Sequence, residues 1–162
     1  SIKLEDLITI GGINSDFIMT EDWNGLNTGV WFVKNTLWTL QFLDLAWNQS
    51  QLVPPRSPIP PHEKHPFEYE QRAFHYLLNT EVWKKRHNLP RYPGHNILGS
   101  SKDMLTHITL LPQCSMNSYT LHPIDSFLYY NNRRQNSQYV EGDFIIHFAG
   151  KKGEIKMNLL RY

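Results

Sequence analysis

The chain has 162 residues, of which 40% are hydrophobic and 13% aromatic, and a net charge of +1. That is about one domain, long enough to bury a core, and its interspersed charges leave no electrostatic footprint for nucleic acid. The single cysteine, Cys114, excludes an intrachain disulfide and a cysteine-based zinc site, and no stretch approaches the ~20 apolar residues of a spanning helix, as expected of a soluble segment.

In chain order, Ile2 to Ile10 mixes apolar and acidic residues, ends at Gly11–Gly12, and reads as a short helix or a loop. No signal-like region precedes it, and "SIKLEDLI" reads as the middle of a fold, so the chain is expected to be a fragment whose upstream part is missing. "DFIMTEDW" (16–23) holds a short strand. In "NGLNTGVWFVKN" (24–35) a polar turn of Asn24, Gly25, Asn27, Thr28 and Gly29 runs into Val30–Val33, a β-branched and aromatic run that predicts a strand buried on both faces. Asn35 is expected to cap a helix whose apolar stripe is Leu37, Leu40, Asp44 and Trp47, widened by Phe42, Leu43 and Ala46. Strand, turn and helix in succession favour an α/β architecture.

Residues 52–66, "LVPPRSPIPPHEKHP", hold six of the ten prolines and predict an irregular loop. A second helix is expected from about Tyr69 to Leu78, with Glu70, Ala73, Phe74 and Leu77 on one side. Residues 84–103 read as loop, "THITLLP" (106–112) as a strand closed by Pro112, and 125–143 as a solvent-facing connection. "DFIIHFAG" (143–150) reads as a buried strand, followed by Lys151, Lys152 and Gly153. There is no internal repeat.

On a period of two, Ile145, His147 and Ala149 share one face of the last strand. His147 is either a core histidine or a ligand-facing one near a carboxyl end, where open α/β sheets bind ligands. The "GKKG" that follows brings two ammonium groups beside it, suited to phosphate, while a neutral imidazole can ligate a divalent metal. Glu70 is either a favourable charge at a helix N-terminus or a carboxylate facing a cleft. "HEKH" (62–65) is no zinc-protease motif, because its histidines are three apart and Pro61 and Pro66 flank it. Asn48–Gln49–Ser50 is a glycosylation sequon of little weight. "NGLNTG" is either a bend tolerated by Asn and Gly or, with the amide of Asn27, the hydroxyl of Thr28 and the bare Gly29, a surface suited to a polyhydroxylated ligand.

Four segments in order resemble glycosyltransferase family 34. "DWNGLNTGVWFVKN" is similar to its Asn-Gly-Leu-Asn-(Thr/Ala)-Gly segment, "YEQRAF" to its Glu/Asp-Gln-x-Ala segment, "LLPQCSMNSY" to its Val-Pro-Gln-x-x-x-Asn-Ser-Tyr segment, and "YVEGDFIIHFAG" to its Gly-Asp-Phe-(Val/Ile)-x-His-Phe-(Ala/Val)-Gly ending. The family holds fungal Golgi α-mannosyl- and α-galactosyltransferases and plant xyloglucan xylosyltransferases, and the motifs look nearer the fungal branch. The resemblance implies a GT-A fold, a Rossmann-like mixed sheet flanked by helices, of which residues 1–162 would be the C-terminal portion. It also implies transfer of a hexose, mannose or galactose, from GDP-mannose or UDP-galactose to a glycan acceptor with retention. A manganese ion is implied too, in a type II Golgi membrane protein whose anchor lies outside this chain, possibly within a Golgi glycosyltransferase complex.

By position, the resemblance gives His147 the role of manganese ligand, the other ligands belonging to an upstream Asp-x-Asp that this chain lacks. Lys152 would lie beside the phosphates, with Gly150 carried over as a substrate-binding position; Lys151 stands where the family usually has cysteine. Gln71 would sit near the donor's anomeric carbon, with Glu70 as its acidic neighbour. Asn27, Thr28 and Gly29 would line the sugar cleft. With no second carboxylate evident, front-side displacement is the expected mechanism. The isolated segment is expected to be inactive. The alternatives are a catalytically inactive carbohydrate-binding remnant and, more weakly, a metal-dependent hydrolase using His62, His65 and His147.

Overall fold

The computed structural model describes residues 3–22, 25–52, 70–85, 90, 92–119, 139 and 144–147. The expectations for 53–66, for most of 125–143 and for everything beyond His147 lie outside these residues. The elements are α1 (Leu4–Gly11), β1 (Phe17–Asp22), β2 (Gly25–Val33), α2 (Leu37–Trp47), a 3-10 turn (Ser50–Leu52), α3 (Glu70–Leu77), α4 (Glu81–Lys84), α5 (Ser101–Leu105), β3 (Ile108–Pro112), a second 3-10 turn (Gln113–Ser115), β4 (Ser118–Tyr119) and β5 (Ile146–His147). Three strands form a mixed sheet in the order β2-β1-β3, with β1 antiparallel to β2 and parallel to β3. β4 and β5 form a separate parallel pair. This is an α/β fold, and none of the described helices is long and apolar enough to cross a membrane.

The two-residue period of β1 divides the core. Phe17 and Met19 face α2 and α3 with Leu26, Phe42, Phe74 and Leu77, while Ile18 faces α1 with Leu7, Leu111 and Met116. Phe17 stacks on Trp31 at 5.2 Å and meets Phe42 and Phe74 edge-on at 5.5 and 6.1 Å. Residues 4–11 are the helix of the two options left open, begun where the Lys3 backbone N–H donates to Asp6 Oδ2 at 3.2 Å. Gly11 lets α1 approach β1: a Cβ there would lie 2.3 Å from Ile18 Cδ1.

Several local expectations are corrected. Helix α2 is capped by Thr36, whose Oγ1 accepts from the Thr39 N–H at 3.2 Å, rather than by Asn35. Only part of the expected stripe is inside: Phe42, Leu43 and Ala46 pack on the core, whereas Leu37, Leu40 and Trp47 are 71, 57 and 87% exposed, and Asp44 is exposed with them. The helix is apolar nearly all round, so its periodicity does not select a face. The stacking of Trp38 on Phe42 at 5.2 Å, with Phe42 edge-on to Phe17 and Phe74, selects the other side. Within 84–103, α5 begins where loop was expected, on a reciprocal capping box: Asp103 N–H donates to Ser100 Oγ at 3.3 Å, and Ser100 N–H to Asp103 Oδ2 at 2.8 Å.

At the amino end of β1, buried Asp16 gathers its surroundings. Its carboxylate accepts from Thr36 Oγ1 at 2.6 Å and from His107 Nδ1 at 2.5 Å, and Trp38 stacks on the His107 ring at 4.3 Å. Burial alone would raise the Asp16 carboxyl. The hydrogen bonds from Thr36 and His107, with the charges of His107 and Lys34, outweigh it and hold the pKa below its ordinary value.

Candidate functional site

At the other end of β1 the pairing with β2 slips. Ile18 pairs with Phe32 and Thr20 with Asn27, so one residue of β1, Met19, faces four of β2, and β2 bulges through Thr28–Trp31. The strand therefore starts within "NGLNTG" rather than after it, and its polar end is the better buried: Leu26 and Asn27 are buried, whereas Val30, Trp31 and Phe32 are half-buried on an edge strand. Asn27 holds the bulge. Its Oδ1 accepts from the Gly29 N–H at 2.7 Å, and its Nδ2 donates to Asp22 Oδ2 at 2.8 Å. Gly29 is exposed at the crest.

Helix α3 starts against this bulge. Thr28 Oγ1 donates to Glu70 Oε1 at 2.9 Å, joining residues 42 apart in sequence. Glu70 is exposed in the first turn, where a carboxylate also opposes the helix dipole favourably. Gln71 Nε2 donates to the Leu26 carbonyl at 2.6 Å, which orients the amide and leaves Oε1 without a partner among the described residues. The structure thus brings together Asn27, Thr28, Gly29, Glu70 and Gln71. The next residue, Arg72, drew no attention in the sequence; it is buried, desolvation lowers its pKa, and no carboxylate pairs with it among the described residues.

The third motif joins from β3. Pro112 ends the strand and the Gln113–Ser115 turn redirects the chain into β4. Gln113 Nε2 donates to the Asn117 carbonyl at 3.1 Å, and Asn117 Nδ2 donates to Thr20 Oγ1 at 3.3 Å. Asn117, Thr20 and Ser118 are all fully buried, and Asn117 Oδ1 has no partner among the described residues. Such a bare buried acceptor costs about 1–3 kcal/mol. Beyond it, β4 pairs with β5, setting Tyr119 opposite His147. The β5 segment falls inside the strand expected over 143–150. His147 is described by its backbone alone, and Gly150, Lys152, His62 and His65 lie outside the described residues.

Asp22, not singled out in the sequence, stands within a hydrogen bond of Asn27. The available signal was the closeness in sequence of the two strands, whose pairing sets Asp22 opposite Gly25. Among the described residues no group of three or more His, Cys, Asp or Glu is arranged to hold a metal ion.

Amide, hydroxyl and carboxylate groups converging at the carboxyl end of a mixed sheet, where β1 runs parallel to β3, form a surface of the kind α/β enzymes use for polar ligands. The profile of the galactosyl transferase GMA12/MNN10 family, glycosyltransferase family 34, matches residues 7–92, more than half of the chain, and the protein belongs to that family of glycosyltransferases. No curated protein and no solved structure matches the chain.

Proposed function

We propose that the protein is a retaining hexosyltransferase that moves mannose or galactose from GDP-mannose or UDP-galactose to a glycan acceptor, on a GT-A-type fold whose C-terminal part is residues 1–162. The observation that carries this reading is the junction of the β2 bulge with the start of α3, which joins two of the family's segments through Thr28–Glu70 and Gln71–Leu26. A lumenal Golgi setting, with an anchor outside this chain and possible membership of a glycosyltransferase complex, belongs to the same proposal.

In this reading Gln71 is the catalytic amide. With Nε2 committed to Leu26, Oε1 presents lone pairs to the anomeric carbon as it becomes electron-poor, a preoriented dipole aimed at developing charge. Glu70, steadied by Thr28, accepts hydrogen bonds from sugar hydroxyls, and Asn27, Thr28 and Gly29 wall the cleft. The acceptor hydroxyl attacks the anomeric carbon on the face from which the diphosphate departs. Its oxygen forms the new bond, the bond from carbon to phosphate oxygen breaks, and the proton passes to the leaving phosphate. Manganese, when bound, would neutralise charge on the diphosphate. His147 is the ligand proposed from this chain, and Lys152 and Gly150 are proposed beside the phosphates; no step here runs through the ion.

The test is transfer by the full-length protein with each donor, an oligosaccharide acceptor and manganese, with the anomeric configuration of the product read by NMR. Retained transfer is expected, and Gln71→Ala is expected to lower kcat by about 100-fold with donor affinity little changed. Glycan binding without any turnover would overturn the proposal in favour of an inactive carbohydrate-binding protein.

A further inference from the structure

We propose that Asn117 is a positioning residue: its amide fixes the direction in which β4, and through it the strand carrying His147, leaves the main sheet. Its catalytic consequence rests on the function proposed above; its structural role does not. Beyond Pro112 the chain abandons the main sheet, and β4 pairs with β5 instead. The turn through Gln113–Asn117 is held against β1 by two kinds of contact. Met116 packs in the cluster of Leu7, Ile18 and Leu111, an apolar contact that favours burial without fixing orientation. Asn117 supplies the directional one, Nδ2 to Thr20 Oγ1, across 97 residues of sequence.

Thr20 is the residue of β1 that pairs with Asn27. One buried hydrogen bond therefore connects the wall built by Asn27, Glu70 and Gln71 to the connection from which β4 departs. Immediately after Asn117, the Ser118 N–H donates to the Ile145 carbonyl at 3.1 Å, and Tyr119 sits opposite His147. The Oδ1 of the Asn117 amide is buried without a partner among the described residues. A side chain chosen only to fill this space would be apolar. Its use is to set a direction, which a hydrogen bond does and an apolar side chain does not.

The experiment compares amide hydrogen exchange of the full chain with that of Asn117→Ala, Thr20→Val and Thr20→Ser. The first two are expected to speed exchange at Ser118 and its β4–β5 neighbours by about tenfold, with the β1 and β3 amides unchanged. Thr20→Ser keeps the hydroxyl and is expected to match the parent. In transfer assays of the full-length protein, the first two are expected to lower kcat about tenfold or more, with donor KM within about twofold. Uniform loss of protection across all strands, or none, would overturn the positioning role. Selective loosening with an unchanged kcat would overturn its catalytic consequence. A protein that transfers no sugar would overturn the function proposed above, while the exchange pattern would still decide what Asn117 does.

Discussion

Replacing Asn27 by aspartate tests the buried end of β2 with a change of one functional group. The new side chain still accepts from the Gly29 N–H, but it loses the donor that reaches Asp22 at 2.8 Å and sets a second carboxylate beside the first. Loss of a hydrogen bond to a charged group costs about 1.5–3 kcal/mol. Repulsion between the carboxylates adds to this, since two like charges about 4 Å apart interact by about 4 kcal/mol at an effective dielectric of 20. Protonation sets a ceiling: placing a proton on a carboxyl of ordinary pKa at pH 7 costs about 4 kcal/mol and restores a donor between the two groups. The expected loss at pH 7 is therefore about 2–4 kcal/mol, or roughly 5–15 °C in Tm for a chain of this size. The sign with pH follows. One carboxyl of the pair has a folded pKa raised above its unfolded value, so the penalty is present above that folded pKa and fades as pH falls through it towards about 4. Thermal melts of Asn27→Asp and the parent, followed by circular dichroism from pH 7 to pH 4, measure the gap. A gap that stayed constant over this range, or was absent at pH 7, would refute the reasoning.

Asp16, held below its ordinary pKa, contributes stability that is present above the unfolded carboxyl value, about 3.9, and is lost as pH falls through the folded one. Asp16→Asn is expected to lower the urea midpoint at pH 7 and to flatten the acid loss below about pH 4; parallel pH profiles would count against the Thr36–Asp16–His107 cluster. Gly11→Ala sets a Cβ against Ile18 Cδ1 and is expected to cost about 1–3 kcal/mol, with much of the loss recovered in the Gly11→Ala, Ile18→Ala double variant relative to Ile18→Ala alone. Denaturant titration of the four proteins gives the coupling. In the full-length transferase, His147→Ala is expected to abolish manganese-supported transfer, and unchanged transfer would remove the metal role proposed for it.

Legibility in the sequence followed how far each signal was local. β1, β3 and α3 were readable because their apolar patterns have one interpretation; Pro112 even marked the end of β3. Helix α2 was found with its inner face only partly placed: Phe42, Leu43 and Ala46 lie on the core as expected, but Leu37, Leu40 and Trp47 are as apolar as Trp38 and Phe42, and only the partner aromatics decide between them. Helix α5 was missed although Ser100 and Asp103 carry the spacing of a capping box, because five helical residues give no readable period. Asn27, Thr28, Glu70 and Gln71 were named from ordered motifs. That Thr28 reaches Glu70, that Gln71 ties to Leu26, and that Asp22 and Thr20 take part depends on a register slip three residues deep, which no local pattern encodes.

The parallel pairing of β1 with β3 also sets a timetable for synthesis. Asp16 and His107, which meet where these strands begin, are 91 residues apart. At about 5–20 residues per second, β1 leaves the ribosome roughly 5–20 s before its parallel neighbour exists. The hairpin with β2 can close at once, but the other edge of the central strand, bearing Phe17, Ile18 and Met19, must wait. The stretch matched by the family profile ends at residue 92, before β3 begins at Ile108. A nascent chain that already carries the whole matched stretch is therefore still an unfinished sheet, and an unpaired apolar strand edge of that kind is what chaperones bind during translation.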